Sequence, residues 1–116
     1  MANPVVHFEI GCRDSAATQD FFSKLFGWNI AQMGPAAMIE TGQIPGVNGI
    51  TGHITALGHE PHNYVTVYVQ VDDLETYMAK AVELGGKRLV EPVKIPMGTF
   101  AWIADREGTT IGLWSV

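Results

Sequence analysis

The sequence predicts an α+β fold of two paired βαβββ modules, forming a curved mixed sheet with helices on its outer face. Three observations carry this. Sliding the 116-residue chain by 59 positions places Asp14 on Asp73, Leu25 on Leu84, Gly27 on Gly86, Gly49 on Gly108 and Thr51 on Thr110. Each copy opens with a segment of period-2 hydrophobicity, and each such segment runs into one of helical period.

The first strand is Val6 to Ile10, with Val6, Phe8 and Ile10 on one face and His7 and Glu9 on the other. A helix follows. Asp14 or Ser15 caps its opening amides, Ala17, Phe21, Phe22 and Leu25 form its apolar stripe, and Gly27 ends it. Three further strands are expected at Trp28 to Gln32, Ala37 to Thr41 and Gly49 to Ala56, separated at Gly34-Pro35 and Pro45-Gly46. The segment Gly46 to Ile50 is a candidate loop over a binding cleft.

A linker, Gly58-His59-Glu60-Pro61-His62, leads to the second copy, and its polar residues are expected at the surface. Val65, Val67, Val69 and Val71 then form an apolar strand face, with Thr66, Tyr68 and Gln70 opposite. Asp73 caps the second helix, whose stripe is Leu74, Tyr77, Met78, Ala81 and Leu84 before Gly85-Gly86. The last three strands fall at Lys87 to Lys94, Thr99 to Ala104 and Thr110 to Ser115. Residues 1–116 therefore read as a single domain, with module 1 over 4–57 and module 2 over 64–116.

Composition narrows the function. Hydrophobic residues make up 47% of the chain and charged residues 16%, enough apolar material for a core. Seven Lys plus Arg against twelve Asp plus Glu leave a net charge of -5, so no basic field attracts nucleic acid. Neither an apolar run of membrane-spanning length nor a signal-like N-terminal stretch is visible, and a membrane role is not expected. Cys12 is the single cysteine, which suits a reducing, cytoplasmic setting; as a small core residue it is given no role.

A sheet covered by helices on one face leaves the opposite face for water or a ligand. Two modules side by side would curve into a cleft lined by His7 and Glu9 from the first strand and by Thr66 and Tyr68 from the second. Trp114 shares the phase of Gly112, which also puts its indole on the cleft side, a wall suited to planar organic ligands. For Trp28 and Trp102 a core or dimer-interface role is at least as good a reading. The scattered glycines lack a strand-GxxxxGK-helix context and do not make a phosphate loop.

The order and spacing of these pieces resembles the vicinal oxygen chelate superfamily of glyoxalases, bleomycin-resistance proteins and extradiol dioxygenases. The residues that carry the resemblance are Val6-His7-Phe8-Glu9, Asp14, Phe21-Phe22, Leu25-Phe26-Gly27-Trp28, Val69 to Leu74, and Asp105 to Gly108 before Ile111-Gly112-Leu113-Trp114. The resemblance covers nearly the whole chain. It implies metal ligands at His7, His53, Thr66 and Gly112. Thr66 offers only a hydroxyl and Gly112 no side chain where a glutamate is common, so two side-chain ligands remain where a catalytic zinc usually has three. Glu9 would complete a His-His-Glu set only by reaching along the strand, because residues i and i+2 are nearly ~7 Å apart.

His7 and His53 are therefore either metal ligands or cleft histidines hydrogen-bonded to neighbours, and Glu9 is either a general base or the partner of a lysine or histidine. The missing second-module ligands favour a glyoxalase-like or bleomycin-resistance-like protein that binds a small organic molecule through His7, Glu9, His53, Thr66, Tyr68 and Trp114 with no cofactor. The alternative is a divalent-metal-dependent lyase, isomerase or dioxygenase acting on vicinal oxygens, with the metal on His7 and His53. A third reading is an interaction module whose cleft accepts a partner strand. The resemblance and the small size also imply a homodimer, with modules paired within one chain or exchanged between two.

Overall fold

The computed structural model describes residues 2–56 and 63–116; the expected surface histidines His59 and His62 lie outside the described residues. The chain forms two compact units, one within His7–Val65 and the other within Thr66–Val116 together with the first six residues. Each contains a four-stranded sheet and one helix, the βαβββ pattern that the repeat predicts.

In the first unit β1 (Val5–Gly11) leads to α1 (Ser15–Phe26), then β2 (Asn29–Met33), β3 (Ala36–Glu40), a small hairpin of β4 (Gln43–Ile44) and β5 (Val47–Asn48), and β6 (Thr51–Thr55). The sheet order is β2-β3-β6-β1, with β1 and β6 parallel and the other pairs antiparallel. Asp14 caps α1 through its carboxylate, which accepts from the Ala17 amide, and Gly27 ends the helix at φ 70°, a left-handed geometry costly for other residues.

Ile10, Cys12, Ala37, Ile39 and Ile54 form the core of this unit, with Phe8, Phe22, Trp28 and Ile30 packed against it. Of the expected α1 stripe only Phe22 faces this core, in a mutual three-ring cluster with Phe26 and Trp28 at centroid distances of 5.1 to 6.0 Å. Phe21 and Leu25 are instead 59% exposed each, because a short helix on a four-stranded sheet presents one narrow strip to it. The expected strand Gly49 to Ala56 begins later, at Thr51. Residues 42–50 fold back on themselves, closed by the Gly49 amide on the Gly42 carbonyl (2.9 Å) and by Thr41 Oγ1 on the Ile50 carbonyl (2.7 Å).

The second unit runs β7 (Tyr64–Gln70), α2 (Leu74–Glu83), β8 (Lys87–Ile95), β9 (Gly98–Ala104) and β10 (Thr110–Ser115), with sheet order β7-β10-β9-β8 and a parallel β7/β10 pair. Asp73 caps α2, accepting from the Glu75 amide and the Thr76 hydroxyl. Val71, Leu74, Met78, Ala101 and Leu113 form its core. Arg88 on β8 ties that strand to α2 with a two-pronged contact on Glu75 and a second on Glu91.

Candidate functional site

The parallel register of β1 and β6 sets His7 beside Thr51, Glu9 beside His53 and Gly11 beside Thr55. Side chains alternate along each strand, so Phe8, Ile10 and Ile54 go to the core while the other row lines the opposite face. On that face five residues join into one hydrogen-bonded chain. Thr51 Oγ1 meets His7 Nδ1 at 3.0 Å, His7 Nε2 meets His53 Nδ1 at 2.8 Å, and His53 Nε2 meets Glu9 Oε1 at 3.2 Å. The Tyr64 hydroxyl donates to the other carboxylate oxygen of Glu9. The two imidazoles lie face to face, their centroids 5.0 Å apart.

The chemistry of the ends sets the direction of the chain. An ionised carboxylate only accepts, so Glu9 takes a proton donor from both sides: the phenol of Tyr64 and Nε2–H of His53. Neutral His53 then offers Nδ1 as acceptor to Nε2–H of His7, and neutral His7 accepts at Nδ1 from Thr51. Both rings are assigned the Nε2–H tautomer by this network. His7 fits it, since burial above all, and then the neighbouring His53, lower its pKa to about 4 against a smaller upward pull from Glu9. The Tyr64 phenol is pushed well above its ordinary range, first by burial and then by its bond to Glu9. Glu9 itself is 4% exposed.

Two glycines make room for this arrangement. A Cβ on Gly11 would stand 2.0 Å from Cε2 of Tyr64, so the bare backbone there is the seat of the phenol ring. A Cβ on Gly52 would stand 2.4 Å from the Phe8 ring on the core side. One step beyond His53 on its own face, the buried hydroxyl of Thr55 finds no partner among the described residues.

The second unit carries no counterpart of the histidines. Thr66 Oγ1 donates to the Thr110 carbonyl at 3.2 Å, and Gly112 pairs in register with Tyr68, whose ring lies 2.5 Å from where a Gly112 Cβ would be. The Tyr68 hydroxyl accepts from the Trp102 indole at 2.8 Å, and Phe100 meets Tyr68 edge-on at 6.3 Å. Trp114 pairs with Phe100 across β9 and β10, two residues from the Gly112–Trp102 pair, so these aromatics share one face of their sheet.

Sequence reasoning thus picked out His7, Glu9 and His53, which come together, missed Thr51, Tyr64 and Phe100, and left Trp102 open between an aromatic wall and a core or dimer-interface role. Trp102 had a legible signal, since an antiparallel last pair of strands sets it opposite Gly112. Two surface hollows are lined by none of the relay residues. One of about 330 Å³ is bounded by Cys12, Arg13, Asp14, Phe21 and Phe22, and one of about 500 Å³ lies between α2 and β9 and β10.

Duplicated βαβββ modules, each a four-stranded sheet with one helix, define the vicinal oxygen chelate class of small domains. The glyoxalase-like domain family matches residues 6–113, and the chain belongs to it. It is 26% identical to the anthracycline biosynthesis protein DnrV of Streptomyces peucetius, covering 92% of this chain and 45% of that protein, and so spans about half the length of that relative. It is 27% identical to a glyoxylase-like domain-containing protein of Didymella fabae, over 88% of this chain and 85% of that one. Among solved structures it resembles a Streptomyces coelicolor methylmalonyl-CoA epimerase variant bound to 2-nitronate-propionyl-CoA, with TM-score 0.70, 16% identity and coverage of 99% and 95%. Among the described residues no helix is long and apolar enough to cross a membrane.

Proposed function

We propose that this glyoxalase-like protein binds a small, uncharged, hydroxyl-bearing organic molecule at the His7–His53–Glu9 face without a metal ion. The observation that carries this is the commitment of all four imidazole nitrogens to hydrogen bonds within the protein. A metal on these rings would have to displace two of those bonds. Thr66 is turned to a backbone carbonyl, and an acidic side chain at position 112 would collide with Tyr68. Among the described residues no three His, Cys, Asp or Glu side chains form a metal-holding group. The residues present do not fit the metal that the superfamily resemblance implies.

The ligand class follows from the polarity of the relay. Every proton along it points toward Glu9, so the exposed end presents the lone pairs of Thr51 Oγ1, which accept from a ligand hydroxyl. The buried carboxylate repels an anion, and the unpartnered Thr55 hydroxyl supplies a further polar contact. Within the second unit, Tyr68, Trp102 and Trp114 are proposed as aromatic ligand contacts of that unit's own sheet face. The relay also favours a second reading, in which Glu9 receives a substrate proton passed through His53 or Tyr64. Cytoplasmic location, action as a single domain and homodimerisation belong to the same proposal; the exposed apolar residues Phe21, Leu25 and Phe26 on α1 support the last.

The test is metal analysis of chelator-free protein together with calorimetric titration of phenols and their carboxylate analogues. Metal well below one equivalent, with neutral phenols binding and binding lost in His53→Ala, is expected. Stoichiometric zinc, nickel, iron or manganese that disappears in His7→Ala would overturn the proposal and favour a metal-dependent lyase, isomerase or dioxygenase. Incorporation of solvent deuterium beside the carbonyl of a ketone or ester, absent in Glu9→Gln, would establish the proton-transfer reading.

A further inference from the structure

The second unit carries a hollow that the relay does not involve. It has a volume of about 500 Å³ and runs between α2 and the strands β9 and β10. Tyr77, Ala81 and Leu84 give one wall, spaced at helical intervals on α2, and Ile103 and Ile111 give the sheet side. The lining is almost wholly apolar, yet Leu84 is left 66% exposed.

Two cations border it, Lys80 from the helix and Arg106 from the turn between β9 and β10. Neither has a carboxylate partner among the described residues, whereas Arg88 on the neighbouring strand is spent on Glu75 and Glu91 and Lys24 on Asp20. The acidic group on the same rim, Asp105, is exposed and ionised, and one of its oxygens is taken up by its own turn. Its Oδ1 accepts from the amides of Glu107 and Thr109 at 2.9 Å each, which holds its carboxyl below the usual carboxylate range. Arg106 is laid across the helix end, where a Cβ on Gly85 would stand 3.0 to 3.2 Å from its Cγ, Cδ and Nε. An apolar trough whose rim carries two cations without an ion-pair partner among the described residues against one carboxylate held by its own turn, in a chain of net charge -5, is complementary to an amphipathic anion.

We infer that this trough is a second ligand site, which takes a small amphipathic carboxylate with its hydrocarbon part against Leu84, Ile103 and Ile111 and its anion between Lys80 and Arg106. A hollow of this size suits a chain or ring system of about ten carbons. The site is independent of the relay and differs from it in preferring a negative charge.

The experiment is calorimetric titration of the full chain with decanoate, decanol and decyltrimethylammonium, paired with amide chemical-shift mapping. Decanoate is expected to bind about tenfold more tightly than the cation, to weaken with added salt, and to shift the amides of Leu84, Gly86, Ile103 and Ile111. Lys80→Glu combined with Arg106→Glu should remove that preference at unchanged melting temperature. If the charge reversal disturbs folding, Lys80→Gln alone should still reduce the decanoate affinity severalfold. Equal affinity for the three amphiphiles, shifts confined to the His7–Val65 unit, or binding to anionic vesicles without binding of monomeric decanoate would each overturn the inference.

Discussion

Glu9 is a buried carboxylate whose two oxygens are met by donors from different strands, a phenol and an imidazole. Glu9→Gln leaves one acceptor oxygen for two donors, so it should destabilise the chain by about 1–3 kcal/mol in chemical denaturation. Tyr64 should resist ionisation when absorbance is followed through pH 10 to 11 in the native protein, and Glu9→Gln should lower the pH at which it ionises. His7 has a lowered folded-state pKa, so the unfolded chain binds that proton more readily. Its contribution to stability is therefore full above about pH 6.5 and is lost as the pH falls toward 4. Melting temperature should drop over that window, and less steeply in His7→Phe.

His7, Glu9 and His53 were legible in the sequence because alternation along two strands assigns them to one face. Their union was not, since it depends on the register of a parallel pair that are 44 residues apart in sequence at His7 and Thr51. Tyr64 escaped because it opens a strand whose apolar alternation begins one residue later, and nothing local marks it as the partner of Glu9.

At the scale of elements, the two strand-helix starts followed from capping and periodicity, and Asp14 and Asp73 both cap as read. Asp73→Ala should cost about 1 kcal/mol, checked by the shift of the denaturation midpoint. The apolar stripe of α1 misled, because helical period tells which residues share a side and not how wide a strip the sheet covers. The β4–β5 hairpin was invisible in two-residue strands, although Gly42 and Gly46, at φ 86° and 80°, mark its bends. Gly11 has a different importance. Gly11→Ala would drive the Tyr64 ring from its seat, and the variant should show one more tyrosine ionising between pH 10 and 11 than the unaltered chain does, while the sheet's circular dichroism persists.

For the molecule as a whole, the repeat is preserved in backbone and abandoned in chemistry. At offset 59 the positions of His7, Glu9 and His53 become Thr66, Tyr68 and Gly112, so an ionisable relay in one unit is answered by an aromatic group in the other. The fold was readable because both copies keep their hydrophobic phase; the division of labour was not, because polar substitution leaves that phase untouched. The exposed Phe21 and Leu25 should lie in a dimer contact, and Phe21→Glu should sediment as a monomer where the unaltered chain sediments as a dimer.

The most direct measurement is nitrogen-15 NMR of the imidazoles at pH 7, with and without one equivalent of zinc or nickel. The relay requires both His7 and His53 to be neutral, protonated at Nε2, and unmoved by the metal. A positively charged His7, or metal-induced shifts of ring nitrogens on both residues, would contradict it.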